Sequence, residues 1–324
     1  MATLEIRSLK TYFYQNSSMT KAVDGPSFDI QEKEIFGLVG ESGAGKTLTG
    51  RSILRLVPKP GKTVGEVRFK GRNLLSLSEK ELRKIRGKDI SAIQQDPLSS
   101  LNPAFKIEAQ MVDVLRLHLA LSKQESRNRS KVLLRQVGIA DPHSVLNKYP
   151  HQLSGGMSQR VMIAIAFSCK PALVIADEPT TALDVITQLQ IIDLMRRTQE
   201  THGTAILFVT HNLWLAARIC SRIGVMYAGR LVENASVEKL FVSPRHPYTQ
   251  ALLETIPRHD IKSETLPIIE GSMPNLSNLP VGCNFAPRCP MKMSRCLRHD
   301  PDEIKIDQDH KVSCFLNTEF EKNE

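Results

Sequence analysis

Gly40-Glu41-Ser42-Gly43-Ala44-Gly45-Lys46-Thr47 fits the pattern GxxxxGK[ST] at every position, and its reading decides how the rest of the chain is organised. It lies between an apolar run, Ile35 to Val39, and a segment of helical texture, Thr47 to Leu56. That context gives the pattern its physical meaning. Glycines let the backbone curl so that consecutive N–H groups point inward, where they and the following helix N-terminus hold anionic phosphates. Lys46 is expected to reach the β- and γ-phosphates of a nucleotide, and Thr47 to offer a hydroxyl to Mg2+. A strand, a phosphate loop and a helix imply an α/β fold, and a nucleoside triphosphate is the first expected ligand.

Length and composition bound what surrounds that loop. A chain of 324 residues holds one large domain with an appendage, or two domains with sizeable cores. The longest apolar run, Val161 to Cys169, is fenced by Arg160 and Lys170 and falls well short of the roughly 18 residues that span a bilayer. The N-terminal MATLEIRSLK lacks the apolar core of a secretion signal, so a cytosolic address is expected. A net charge of +9 suits an anionic partner or a solvated basic surface equally, and by itself decides nothing.

Short strands are expected over the first thirty residues, from Leu4, Ile6 and Leu9 through the aromatic Thr11 to Tyr14 to Ser27 through Ile30. An aromatic ring here can stack on a nucleobase. Gly65 to Lys70 and Asp89 to Gln95 read as further strands, and Ser78-Glu79-Lys80-Glu81 as a capping box opening a short helix. From about 97 the texture turns helical. Ile107, Met111, Leu115 and Leu119 recur at a spacing of four, and Ser122 to Glu125 caps a second helix that Gly138 stops after Val137. A helical insertion into the α/β core follows from this pattern.

Leu153-Ser154-Gly155-Gly156-Met157-Ser158-Gln159-Arg160 ends the insertion, and its paired glycines before a helix make a second anion site. After that helix, Leu173 to Ala176 reads as a buried strand tipped by Asp177 and Glu178. Two carboxylates there suit Mg2+ coordination by the first and water activation by the second.

These motifs, in this order over roughly residues 1 to 240, resemble the ATP-binding subunit of an ABC transporter. The resemblance makes residues 40–47 the Walker A loop, 153–156 the signature and 173–178 Walker B. It makes Gln95 the Q-loop glutamine, Thr181-Ala182-Leu183-Asp184 the D-loop and His211, after the strand Ala205 to Thr210, the switch histidine. Phe13 matches the base-stacking aromatic, with Tyr12 and Tyr14 beside it as alternatives. The implied roles are polarisation of the attacking water by Glu178, contact with the γ-phosphate by His211, and contact of Gln95 with Mg2+ or water. Thr47, Asp177 and Gln95 form the implied Mg2+ set. Leu153, Ser154, Gly155, Gly156 and Gln159 are implied to meet the nucleotide of a second subunit. Two departures are Gln94, where the peptide-importer group usually has Phe, and Ala44, where Ser is common; neither removes a phosphate or metal ligand.

Residues 244–253 and the stretch Gly282 to Pro290, with Cys296 and Cys314, resemble the C-terminal part of dipeptide and oligopeptide importer ATPases, a group that also serves nickel complexes. The expected fold is therefore a P-loop ABC ATPase core with an N-terminal antiparallel β subdomain, a helical insertion at about 97–165 and a small Cys-rich C-terminal extension. The expected division is a nucleotide-binding domain at 1–255 and an extension at 256–324, joined by a Pro- and Asn-rich connector, 266–280. The implied partners are two membrane permeases, a sister ABC ATPase (a homodimer being the alternative) and, indirectly, an extracytoplasmic solute-binding protein, with no nucleic acid. The implied place is the cytoplasmic face of the inner membrane. The competing reading is a soluble ABC ATPase acting on ribosomes or nucleic acid, which usually carries two nucleotide domains or long inserted arms.

Four of the six cysteines, Cys283, Cys289, Cys296 and Cys314, are spaced C-x5-C-x6-C-x17-C, wider than the knuckles of structural zinc. Four thiolates are a complete ligand set for [4Fe–4S], and the resemblance to the importer extension points the same way. An iron–sulfur cluster is the expectation, with zinc, free buried thiols and disulfides as alternatives. Cys169 and Cys220 read as core packing.

Overall fold

The computed structural model describes residues 2–15, 18–181, 183–256 and 269–318. It contains two compact units: Met1–Leu4 with Ile30–Glu34 and Ser76–Val209, and Glu5–Asp29 with Ile35–Leu75 and Thr210–Glu324.

In the first unit, strands Ile90–Ile93, Leu173–Asp177 and Ala205–Thr210 run parallel, with Ile90 opposite Leu173 and Asp177 opposite Val209. Leu173 to Ala176 are all buried, which is why the strand reads as an unbroken apolar run rather than an alternation. Helix Ile107–Leu119 buries Ile107, Met111 and Leu115 as their spacing predicts. Leu119 stays 36% exposed because the helix ends there, with Ala120 left-handed at the cap. Helix Lys123–Gln136 starts on the expected box, Glu125 N–H donating to Ser122 Oγ at 3.2 Å and Ser122 N–H to Glu125 Oε2 at 2.8 Å. Gly138, at φ 79, terminates it. Helix Pro142–Asn147, capped by Asp141 with Pro at its start, is too short to show a period in sequence. Helix Gly155–Phe167 then buries Val161, Ile163, Ala164 and Phe167.

In the second unit, Ser18–Asp24 pairs antiparallel with Ala2–Gln15, followed in the same sheet by Lys62–Phe69 and Arg72–Asn73. This is the expected antiparallel β portion. A separate sheet places Ile35–Val39 parallel to Arg222–Tyr227, which turns back on Arg230–Ser236. His310–Val312 then adds to Arg230–Ser236, and Ile304–Asp307 to His310–Val312. The C-terminal hairpin thus continues the sheet that carries the phosphate loop. Tyr227, Tyr248 and Phe285 pack ring against ring beneath it, with centroids 4.6 to 5.4 Å apart. Among the described residues no helix is long and apolar enough to cross a membrane.

Candidate nucleotide-binding site

In the second unit, strand Ile35–Val39 ends at Gly40 and helix Lys46–Ile53 begins after Gly45, so residues 40–45 form the turn between them. A Cβ on Gly40 would stand 2.1 Å from the Met226 carbonyl oxygen, and one on Gly45 2.3 Å from that of Ala22. Gly43 and Gly45 also sit at φ 85 and 101, where side chains are strained. The glycine spacing is therefore a steric requirement of this turn. Lys46 is buried and donates from Nζ to the Gly40 and Glu41 carbonyls at 2.8 and 3.0 Å, folded back over the loop whose anion it would meet. A tight turn, a helix N-terminus and a lysine across its mouth fit a polyphosphate. Ser42 is exposed, Ala44 buried, and Thr47 stands at the first turn of the helix.

Elsewhere in this unit, Phe13 is half-buried, and a Cβ on Gly61 would come 2.8 Å from its ring. Tyr12 is committed differently: its hydroxyl donates to Asp24, and burial first, then that bond, pushes its pKa up. Tyr14 is 48% exposed, with Lys62 Nζ 5.6 Å from its ring centroid. His211 is exposed, just before Asn212, whose side chain caps helix Leu213–Ile219.

The first unit holds the carboxylates. Asp177 closes strand Leu173–Asp177, and Glu178 follows at φ 46, its N–H donating to Val209 O at 2.8 Å. A buried acid in the left-handed region is strain held by its surroundings, a frequent feature of reacting sites. Gln95 Nε2 reaches Glu178 Oε2 at 3.4 Å, and the Thr181 hydroxyl donates to the same oxygen at 2.8 Å. The Gln95 contact joins two residues 83 positions apart; the Thr181 contact is an addition that sequence reading did not make. Ser154 caps helix Gly155–Phe167, accepting from Met157 N–H at 3.3 Å. Gly156 leaves room for Thr187, whose Cγ2 would lie 3.2 Å from an added Cβ, whereas a Cβ on Gly155 would meet Leu183 at an ordinary 3.5 Å. Leu153 is buried; Gln159 is 1% exposed, and among the described residues its Nε2 has no hydrogen-bond partner. Asp184 caps helix Val185–His202, and the Thr187 N–H, then its hydroxyl, hold the carboxyl below the usual range. Of the expected D-loop, Ala182 lies outside the described residues, as do 266–268 of the connector.

The cysteine expectation is corrected. Cys283, Cys289, Cys296 and Cys314 do converge, lining one cavity with Phe285, Pro301 and Phe315. Yet among the described residues no group of three or more His, Cys, Asp or Glu side chains is placed to hold a metal ion, so neither the iron–sulfur nor the zinc reading stands. The physical reason is burial in apolar surroundings. It pushes the Cys283 and Cys314 thiols up to about 11 and raises Cys289, which favours their neutral form. The cavity, about 10 Å3, has room for about one water molecule. The four sulfurs line this largely apolar cavity and also meet backbone N–H groups, Cys296 Sγ accepting from Met293 N–H at 3.5 Å.

The cassette built from these pieces is that of an ATP-binding ABC protein. The ABC transporter model matches residues 23–181, and the model for the oligopeptide/dipeptide transporter C-terminal region matches 232–296. A probable peptide ABC transporter ATP-binding protein of Sinorhizobium fredii is 47% identical over 98% of this chain and 95% of its own. The oligopeptide transport ATP-binding protein AppD of Bacillus subtilis is 45% identical over 98% and 97%, and the dipeptide transport ATP-binding protein DppD of Escherichia coli 44% over 93% and 92%. A dimeric post-hydrolysis structure of the ATP-binding cassette MJ0796, bound to ADP and Pi, is 27% identical with a TM-score of 0.65, covering 72% of this chain and 98% of that one. The chain belongs to the ABC transporter family, in its group of oligopeptide and dipeptide transport ATP-binding proteins, and it is an ATP-hydrolysing subunit. The reading as a soluble ATPase of ribosomes or nucleic acid has no support in these relatives, which are named for transport.

Proposed function

We propose that this subunit powers the import of peptides or related small solutes, working at the cytoplasmic face of the inner membrane. The observation behind this is the joining in one chain of an ABC cassette, matched at 23–181, to an oligopeptide/dipeptide transporter C-terminal region, matched at 232–296. In this reading residues 1–255 form the nucleotide-binding domain and 256–324 the extension. ATP lies with its phosphates on residues 40–47 and its base against Phe13. Thr47, Asp177 and Gln95 would hold Mg2+, which when bound would supply positive charge against the phosphate oxygens. Glu178 takes up the proton of the attacking water, Gln95 and Thr181 fixing the direction of its carboxylate, and His211 meets the γ-phosphate.

Assembly supplies the rest. Ser154, Gly155 and Gly156 act on the nucleotide held by a second ATPase, a sister chain or another copy of this one. Each ATPase docks on one of two permeases near Gln95 and the helical insertion, and a solute-binding protein delivers cargo from outside. Affinity purification of the tagged chain from solubilised membranes tests the reading. Recovery with two permeases and a second ATPase is expected; recovery with ribosomes instead would contradict it. Mixing a Ser154→Ala chain with an intact sister ATPase tests the trans arrangement: the sister's nucleotide should fail, and failure of the chain's own Lys46 site alone would refute it.

A further inference from the structure

We propose that Arg288 of the C-terminal extension is a positioning residue for ATP, holding Glu41 of the phosphate loop and, through the Glu41 peptide, the lysine that meets the phosphates. Arg288 is far from residues 40–47 in sequence, yet its guanidinium Nη1 donates to both Glu41 carboxylate oxygens, at 3.2 and 3.0 Å, and to the Tyr227 hydroxyl at 3.3 Å. Its side chain is 5% exposed. The remaining donors are committed too, Nε to Glu270 O at 2.9 Å and Nη2 to Ile269 O at 3.1 Å, so the fork has one orientation.

Glu41 is held from a second side. Its N–H donates to the Tyr248 hydroxyl at 3.0 Å, and Tyr248 is fully buried against Tyr227 and Phe285. Its carbonyl, with that of Gly40, accepts from Lys46 Nζ. Arg288 therefore fixes the carboxylate, Tyr248 the amide, and the oriented carbonyl places the ammonium. The arrangement also disposes of an electrostatic difficulty, because an unpaired carboxylate beside a polyphosphate site would repel its ligand. Other points of the extension touch the same neighbourhood. Met273 Sδ lies 3.7 Å from where a Gly43 Cβ would stand, Leu276 O accepts from Lys21 N–H at 3.1 Å, and the Ser277 and Thr20 hydroxyls bond at 2.6 Å.

The inference rests on the nucleotide reading of residues 40–47. Its test is equilibrium binding of a fluorescent ATP analogue to the assembled transporter, with KM and kcat measured alongside. Arg288→Ala should raise Kd and KM about five- to tenfold with kcat little changed, the loss expected for one charge-assisted tie that acts on binding. Arg288→Lys, which keeps the charge but not the fork, should lose about two- to threefold. The double variant Glu41→Gln/Arg288→Ala should be no worse than Arg288→Ala, because both changes break the same tie. Parental Kd in a folded Arg288→Ala protein overturns the proposal, as do additive losses in the double variant. Should Arg288→Ala not fold, parental Kd in Arg288→Lys overturns it equally. Lys46→Ala run in parallel separates the failures: binding that survives that change removes the nucleotide reading itself.

Discussion

The phosphate loop and the cysteine segment each present a spaced set of one residue type, and the structure treats the two sets in opposite ways. At Gly40 and Gly45 the spacing reports backbone geometry directly, since a Cβ would strike a carbonyl oxygen at 2.1 or 2.3 Å. No neighbour has to be known for that inference to hold. At Cys283, Cys289, Cys296 and Cys314 the spacing brings the thiols around one cavity, but what they do depends on the dielectric and room around them. Apolar walls and a cavity of about 10 Å3 leave little room beside the sulfurs, and burial favours the neutral form of Cys283, Cys289 and Cys314. A motif written in glycines encodes a conformation; one written in cysteines encodes only an opportunity.

The comparison can be broken first at the loop. Lys46→Ala should weaken ATP binding on the order of 10²-fold, the scale of losing charge-assisted bonds to phosphate, as read by calorimetric titration. A loss below twofold would mean that the glycine turn is a structural bend with no phosphate to hold.

The packing around Glu233, His246 and His310 can be probed by acid. His246 is fully buried with its pKa lowered to about 3 by desolvation, Nδ1 accepting from Tyr248 N–H at 3.0 Å. Near it Glu233 accepts from the Arg245 and His246 N–H groups and pairs with His310 Nε2 at 2.7 Å. A depressed histidine is neutral when folded, so unfolding takes up a proton below the ordinary pKa near 6.5. Stability should fall from about pH 6.5 toward 3, and His246→Asn, which keeps an acceptor but no titration, should flatten that limb in urea melts. An unchanged limb would assign it to other groups.

A smaller effect sharpens the reading of the thiols. Cys283→Ser places a hydroxyl among apolar neighbours and should cost about 1–3 kcal/mol of stability, more than Cys283→Ala. Equal losses would show that polarity is not the governing property there. Ser154→Ala should cost least, about 1 kcal/mol, through the lost cap on Met157 N–H, measured on the helix's own unfolding.

Much of the molecule was legible because its rules are local. Capping boxes at Ser78 and Ser122, the stop at Gly138 and the apolar strand ending at Asp177 all follow from nearest neighbours. The contact of Gln95 with Glu178 was not legible as a distance, and Arg288 gave no sign of seeking Glu41, because those pairings are made by the tertiary fold. The hairpin Ile304–Asp307 and His310–Val312 is illegible for a related reason: its strands are short, and the edge of Arg230–Ser236 supplies the partner of His310–Val312.

The central claim is that residues 40–47 hold ATP while Glu178 drives its cleavage. The most direct measurement is the identity of the nucleotide retained by a Glu178→Gln transporter after incubation with Mg2+ and radiolabelled ATP. Binding of near-parental strength should persist, with the retained label still ATP and its conversion slowed about 10²-fold or more. Label appearing as ADP at the parental rate would contradict the account.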